Sequence, residues 1–224
     1  MYRVTRKNTT FDIYESEIVS QNFWRNRFET WEDDTFDFMF KYLDKNKTFI
    51  DIGAWIGPLS LVASFHSKKC ICYEPDIVAY NEFVESIKLS GIENIVLENK
   101  SISIHDEITL GSGSLGQSVT RETDHRNSFV SKCVKIREIL ETYGLNEDNI
   151  SLIKIDIEGH ESELLKDETL INLNIPMHVS FHPGWSLDRE NFYQNIKTFL
   201  IKRNFDVSTL TSYPDFFELT FDKQ

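Results

Sequence analysis

The stretch Thr48–Phe65, TFIDIGAWIGPLSLVASF, reads as an apolar strand, a turn punctuated by Gly53 and Gly57, and an apolar helix opened by Pro58. In open parallel α/β sheets, ligands bind beyond the carboxyl ends of the strands, which is where such a turn lies. Outward from it, β-rich runs alternate with helical stretches: KCICYEP before DIVAYNEFVESIKLSG, then NIVLENKSIS, VSKCVKI before REILETYG, SLIKIDIEG before HESELLKDETLIN, and PMHVSFHP before DRENFYQNIKTFLIKRN. That order predicts an α/β fold with a mostly parallel sheet and helices on both faces. FDVSTLT (205–211) and DFFELTF (215–221) follow as two adjacent strands, one of which must run antiparallel. Upstream, Phe36, Met39, Phe40 and Leu43 at helical spacing predict an amphipathic entry helix within residues 1–45. The polar, glycine-rich segment Gly111–Ser128 predicts a hairpin or loop insertion over 104–130, and the rest of 46–224 forms a Rossmann-like core, giving one domain over 1–224.

Composition bounds the partners. The chain of 224 residues is 40% hydrophobic with 17 Phe, enough for one full core. A net charge of −12 opposes general attraction to phosphate backbones, so no nucleic-acid partner is expected. Cys70, Cys72 and Cys133 have no metal-type spacing, and Cys70 and Cys72 read as strand packing. With no secretory h-region and no apolar run of the ~20 residues a span requires, a cytoplasmic protein without a membrane span is expected.

The chemistry of the turn narrows the ligand. Asp51 would repel a pyrophosphate but suits a ligand carrying a sulfonium or ammonium cation. Glu74 closes the second strand, where an acid can accept both ribose hydroxyls. Together they describe a site for S-adenosylmethionine. A nucleotide-binding oxidoreductase would share the fold and Glu74, but Asp51-x-Gly53-x-x-x-Gly57 lacks the G-x-G-x-x-G of dinucleotide binders. On the fourth core strand, Lys154 and Asp156 share one face while Ile153, Ile155 and Ile157 take the other. His182 ends the neighbouring strand on the face of His178 and Ser180, within reach of the same pocket.

FIDIGAWIGPLSL (49–61), CYEPD (72–76) and LIKIDIEGHESELLK (152–166) resemble the motifs of the FkbM family of S-adenosylmethionine-dependent methyltransferases, over a span from about Trp31 to Pro183. The resemblance implies the class I methyltransferase fold, a seven-stranded sheet of order 3-2-1-4-5-7-6 with strand 7 antiparallel. It also implies O-methylation of a hydroxyl on a sugar or glycan, with a non-sugar metabolite or lipid as the alternative acceptor. Two departures stand out: Trp55 where the family commonly has Asn, and Ser180 where a Glu is frequent. The cofactor residues expected are Glu32, Thr35, Asp51, Gly53, Ala54, Trp55, Gly57, Glu74, Pro75 and Asp156, with Asn99 to Ser101, chiefly Ser101, at the adenine. Asp156, Glu158 and His182 are the expected catalytic residues. No metal is assigned, although those three form a set from which a metal site could be built. His66, His105 and His125 read as surface histidines.

Overall fold

The computed structural model describes residues 2–16, 20, 22–111, 121, 122, 128–204 and 217–222. The chain opens with a hairpin, β1 (Tyr2–Arg6) and β2 (Thr9–Ile13), turned by Lys7 and Asn8 at positive φ. Two helices follow, α1 (Phe23–Asn26) and α2 (Asp33–Tyr42). The core then alternates: β3 (Thr48–Ile52), α3 (Pro58–Ser64), β4 (Lys69–Tyr73), α4 (Ile77–Ser90) and β5 (Ile95–Glu98). A side sheet is built from β6 (Ser101–Ile102), β7 (Glu107–Gly111), β8 (Arg121–Glu122) and β9 (Phe129–Val134), in the order β6-β9-β7-β8. The core resumes with α5 (Ile136–Tyr143), β10 (Ile150–Ile155), α6 (Glu161–Leu164), α7 (Glu168–Asn172), β11 (Met177–Phe181), α8 (Arg189–Lys202) and β12 (Phe217–Phe221).

The central sheet runs β12-β11-β10-β3-β4-β5, parallel except that β12 pairs antiparallel with β11. Numbered in chain order among the described residues, these six strands follow 3-2-1-4-5-6 with the last reversed. The run read as a sixth strand, 205–211, lies outside the described residues, as do 112–120 and 123–127 of the insertion and the histidine at 125. What is described of the insertion pairs as antiparallel strands, Glu107 opposite Lys132 and Leu110 opposite Phe129.

Strand alternation splits the interior into two cores. Ile50, Ile52, Ile153 and Ile155 face a core completed by α5 to α8. Phe49, Cys70, Cys72 and Leu152 face the other, completed by α2, α3, α4 and the N-terminal hairpin. Both cysteines are fully buried. The entry helix buries Thr35, Phe36 and Met39. Two local readings change. HESELLKDETLIN forms two short helices, because Asp167 caps the second by accepting from the Leu170 amide at 3.0 Å. NIVLENKSIS breaks between β5 and β6, where the Asn99 side chain donates to the carbonyls of Glu74 (2.9 Å) and Pro75 (3.0 Å).

Candidate active site

The carboxyl ends of β3, β4 and β10 open into a cleft of about 1200 Å³, counting its open mouth. Glu32, Asp51, Gly53, Ala54, Trp55, Glu74, Pro75, Ser101, Asp156, Glu158 and His182 all line it, so most residues selected from sequence meet in one place. Thr35 and Gly57 do not. Thr35 is 1% exposed on the buried face of α2, with its hydroxyl 3.4 Å from His178 Nε2. A Cβ at Gly57 would sit 2.1 Å from the Phe83 ring, so that glycine serves helix packing rather than approach to a ligand. The same correction applies to Gly53 in part. At φ +83° it lines the cleft, but a Cβ there would lie 1.8 Å from the carbonyl oxygen of Asp156, so what passes close is the neighbouring chain.

The cofactor side is held by internal bonds. Glu74, 6% exposed, accepts from the Trp55 amide (2.7 Å) and the Asp76 amide (2.8 Å). Burial nevertheless pushes its pKa up to about 7. Asp51 accepts from the Ser60 hydroxyl (2.6 Å) and lies 3.3 Å from Lys154 Nζ. Asp51 lines the cleft, and a cation of the chain itself, Lys154, balances it. Lys154, also buried, donates to the Gly53 carbonyl (2.6 Å) and stands 3.7 Å from Asp156. Burial works against its charge, yet Asp51, Asp156 and Glu32 hold its pKa above the ordinary lysine value. Glu32, at φ 50°, has its pKa lifted to about 8 by burial and then by the charge of Asp156. Trp55 stands at φ 50°, a left-handed conformation that Asn adopts more readily than a bulky residue. Its ring packs edge-on to Phe23, 4.9 Å between centroids.

The acceptor side is built by the turn after β10 and the end of β11. Glu161, fully buried, accepts from the amides of Ile157 (3.2 Å) and Gly159 (3.0 Å) and from His182 Nδ1 (3.0 Å). It ties the turn to the histidine and makes no other role for itself as an exposed helix-start acid. His182 Nε2 lies 3.4 Å from Glu158, and His182 Nδ1 lies 3.8 Å from Asp156. Burial opposes the imidazolium, but Glu161, Asp156 and Glu158 raise the His182 pKa to about 9. Burial and the charge of Asp156 also raise Glu158. Ligand atoms of Asp156, Glu158 and His182 lie within 4.8 Å of one another, close enough for the three to converge on a metal. Opposite Ser180, Glu218 of β12 supplies a carboxylate and accepts from the Ser180 hydroxyl at 3.3 Å. His66, half-buried, is 3.0 Å from the Thr9 hydroxyl, and His105 is exposed.

Sequence reasoning left Lys154 and Glu161 out of the site. Lys154 was legible as the polar residue sharing a strand face with Asp156; the signal for Glu161 was its place in the same acid-rich motif. Lys100, within the run expected at the adenine, lines the cleft with Ser101 while Asn99 does not; Arg27, which also lines it, carried no signal.

The mainly parallel sheet with helices packed on it, and a cleft beyond β3, β4 and β10, is the fold of the class I methyltransferases. An rRNA methylase from Streptococcus thermophilus shares the fold, with a TM-score of 0.50, 12% identity, and 85% of this chain and 94% of that one covered. The chain belongs to the FkbM methyltransferase family, whose domain model matches residues 51–207. It is 23% identical to the hexuronic acid methyltransferase AglP of Haloferax volcanii over 166 residues, 73% of this chain and 68% of that protein. A methyltransferase FkbM from Methylobacillus flagellatus is similar at 16% identity and TM-score 0.47, over 72% of this chain and 38% of that one.

Proposed function

We propose that the protein transfers a methyl group from S-adenosylmethionine to a hydroxyl of a sugar or glycan. The carrying observation is the distribution of acids along one cleft. Glu74, already oriented by two backbone amides, has lone pairs left to accept from ribose hydroxyls. Glu32, Asp156 and Glu158 line the centre of the cleft with carboxyl oxygens that can accept from the ammonium of the cofactor. The residues at the adenine are Ser101 and the apolar Ile108 and Leu110 of the side sheet, all lining the same cleft. A sugar acceptor is supported by the relative named as a hexuronic acid methyltransferase.

At the acceptor end, Asp156 orients the hydroxyl, with Glu158 and His182 beside it. The hydroxyl oxygen attacks the methyl carbon in line with the sulfur; the O–C bond forms as the C–S bond breaks. The hydroxyl proton passes to the Asp156 carboxylate and S-adenosylhomocysteine leaves. Positioning carries much of such a reaction, and a general base adds about 10²- to 10⁴-fold. Asp156→Asn keeps the shape and removes the charge. Its kcat, followed by mass spectrometry with labelled S-adenosylmethionine and a glycan panel, is expected to fall about 10²- to 10⁴-fold while calorimetric binding of S-adenosylhomocysteine survives. Normal turnover by the variant would remove Asp156 from the chemistry; absence of S-adenosylhomocysteine binding by the unmodified protein would remove the cofactor assignment.

A further inference from the structure

We propose that Asp156, Glu158 and His182 form a binding site for one divalent cation at the acceptor end of the cleft. The sequence offered these three as a possible metal set without assigning one, and the proposal rests on the methyltransferase reading only for where the acceptor lies.

Three observations converge. First, the donors are of two kinds, two carboxylate oxygens and an imidazole nitrogen, brought by separate elements to within 4.8 Å of one another. Ligand atoms sharing an ion at ~2.1 Å sit about 3 Å apart when adjacent, so closing the site needs side-chain shifts of about an ångström. The Glu158–His182 pair, at 3.4 Å, is nearly there. Secondly, Asp156 Oδ1 and Glu158 Oε2 are buried oxygens with no hydrogen-bond partner. Such atoms are costly to leave unpaired, and one cation satisfies both. Thirdly, the histidine is oriented the way metal-bound histidines are. His182 is 7% exposed, with Nδ1 bonded to the fully buried Glu161 at 3.0 Å and Nε2 turned to Glu158. A carboxylate behind the imidazole fixes ring orientation and tautomer and raises ligand basicity. Trp185 fixes the plane as well, stacked on the ring at 5.0 Å and 7°.

The turn carrying these donors is strained in the same place. Glu158 stands at φ 57°, and a Cβ on Gly159 would meet the Trp185 backbone at 2.7 Å. The chain is thereby pinned so that Glu158 points back to His182. Two oxygens and one nitrogen suit hard-to-borderline ions such as Mg²⁺ and Mn²⁺. Three protein ligands leave coordination positions that face the cleft, where two neighbouring oxygens of a sugar can complete the sphere. With the ion bound, Asp156, Glu158 and His182 hold the acceptor through it.

The test uses Mn²⁺ as the probe on full-length protein stripped with chelator, with S-adenosylhomocysteine binding measured on the same preparation. One saturable Mn²⁺ per chain is expected by electron paramagnetic resonance titration. The Asp156→Asn/Glu158→Gln double variant is expected to weaken it at least 100-fold. Glu161→Gln is expected to weaken it about 10- to 100-fold, as loss of an outer-shell partner does. Glu85→Gln, an exposed acid on α4, is expected to leave it unchanged. Should the double variant not fold, NMR line broadening in the unmodified protein replaces it, with the His182 ring signals broadening before those of His66. No saturable Mn²⁺ at millimolar concentration in protein that binds S-adenosylhomocysteine overturns the proposal and spares the methyltransferase reading. So does binding that the double variant retains, or broadening that His66 shares equally.

Discussion

The two ends of the cleft treat their carboxylates differently. At the end of β3 and β4, Glu74 is held by two amides, and Asp51 by the Ser60 hydroxyl and Lys154. At the end of β10 and β11, Asp156 and Glu158 each keep a buried oxygen without a hydrogen-bond partner. Glu74 is thereby completed by the chain itself and preorganised, whereas Asp51 keeps one oxygen, Oδ1, without a hydrogen bond and faces Lys154 Nζ at 3.3 Å. The second set faces the His182 imidazole instead of an amide or a hydroxyl, Glu158 Oε2 at 3.4 Å and Asp156 Oδ1 at 3.8 Å. Lys154 joins them, because it lies between Asp51 and Asp156 and also ties down the Gly53 carbonyl.

Removing that link is expected to have the largest effect. Lys154→Met leaves Asp51, Asp156 and Glu32 without their buried cation. Breaking a buried ion pair from one side costs about 3–5 kcal/mol, so urea denaturation is expected to show a loss of that size. Near-native stability in the variant would mean that the acids take up protons at little cost, and that the two ends are not joined through Lys154.

Gly53→Ala strikes the same junction sterically. The added Cβ has no room beside the Asp156 carbonyl, and a side chain at φ +83° is strained by about 1–3 kcal/mol even before that clash is counted. The β3 and β10 turns must then move apart, so S-adenosylhomocysteine affinity and turnover are expected to fall together. Affinity lost with turnover intact would show that the two ends work independently.

Much of this was legible in the chain, for reasons that can be named. The mainly parallel sheet with helices on both faces follows from βα alternation, which is set by local periodicity; its strand order came only with the family resemblance. The site's position follows from the rule that ligands gather beyond strand ends. Less legible was the use made of each residue. Gly57 occupies its place because Phe83, 26 positions later, packs against it, and no local pattern carries that contact. Asp51 pairs with Lys154 across more than a hundred residues, joined only by the parallel register of β3 and β10. The N-terminal hairpin was missed because its alternation is short, although Lys7-Asn8 offers a turn between VTR and TTFDI. Trp55 shows the opposite case: departure from Asn marked a position whose left-handed backbone explains the family's usual choice.

The smallest effect expected is a pH dependence confined to the cofactor end. Glu74 has an ordinary value of 4.5 raised to about 7 by burial, its two amide donors offsetting only part of the penalty. Between those values the folded chain keeps a proton that the unfolded chain has lost. Glu74 therefore favours folding below pH 4.5, and that contribution is lost as pH rises to about 7. Ligand affinity runs the other way, since ribose hydroxyls donate to the ionised carboxylate. At pH 6 about one molecule in eleven has Glu74 ionised and at pH 8 about ten in eleven, so S-adenosylhomocysteine affinity is expected to rise about tenfold across that interval. Glu74→Gln is expected to bind more weakly at pH 8 and to lose this slope, whereas Asp156→Asn is expected to keep it. An equal slope in Glu74→Gln would transfer the titration to another group in the cleft, with Glu32, raised to about 8, the next to be replaced.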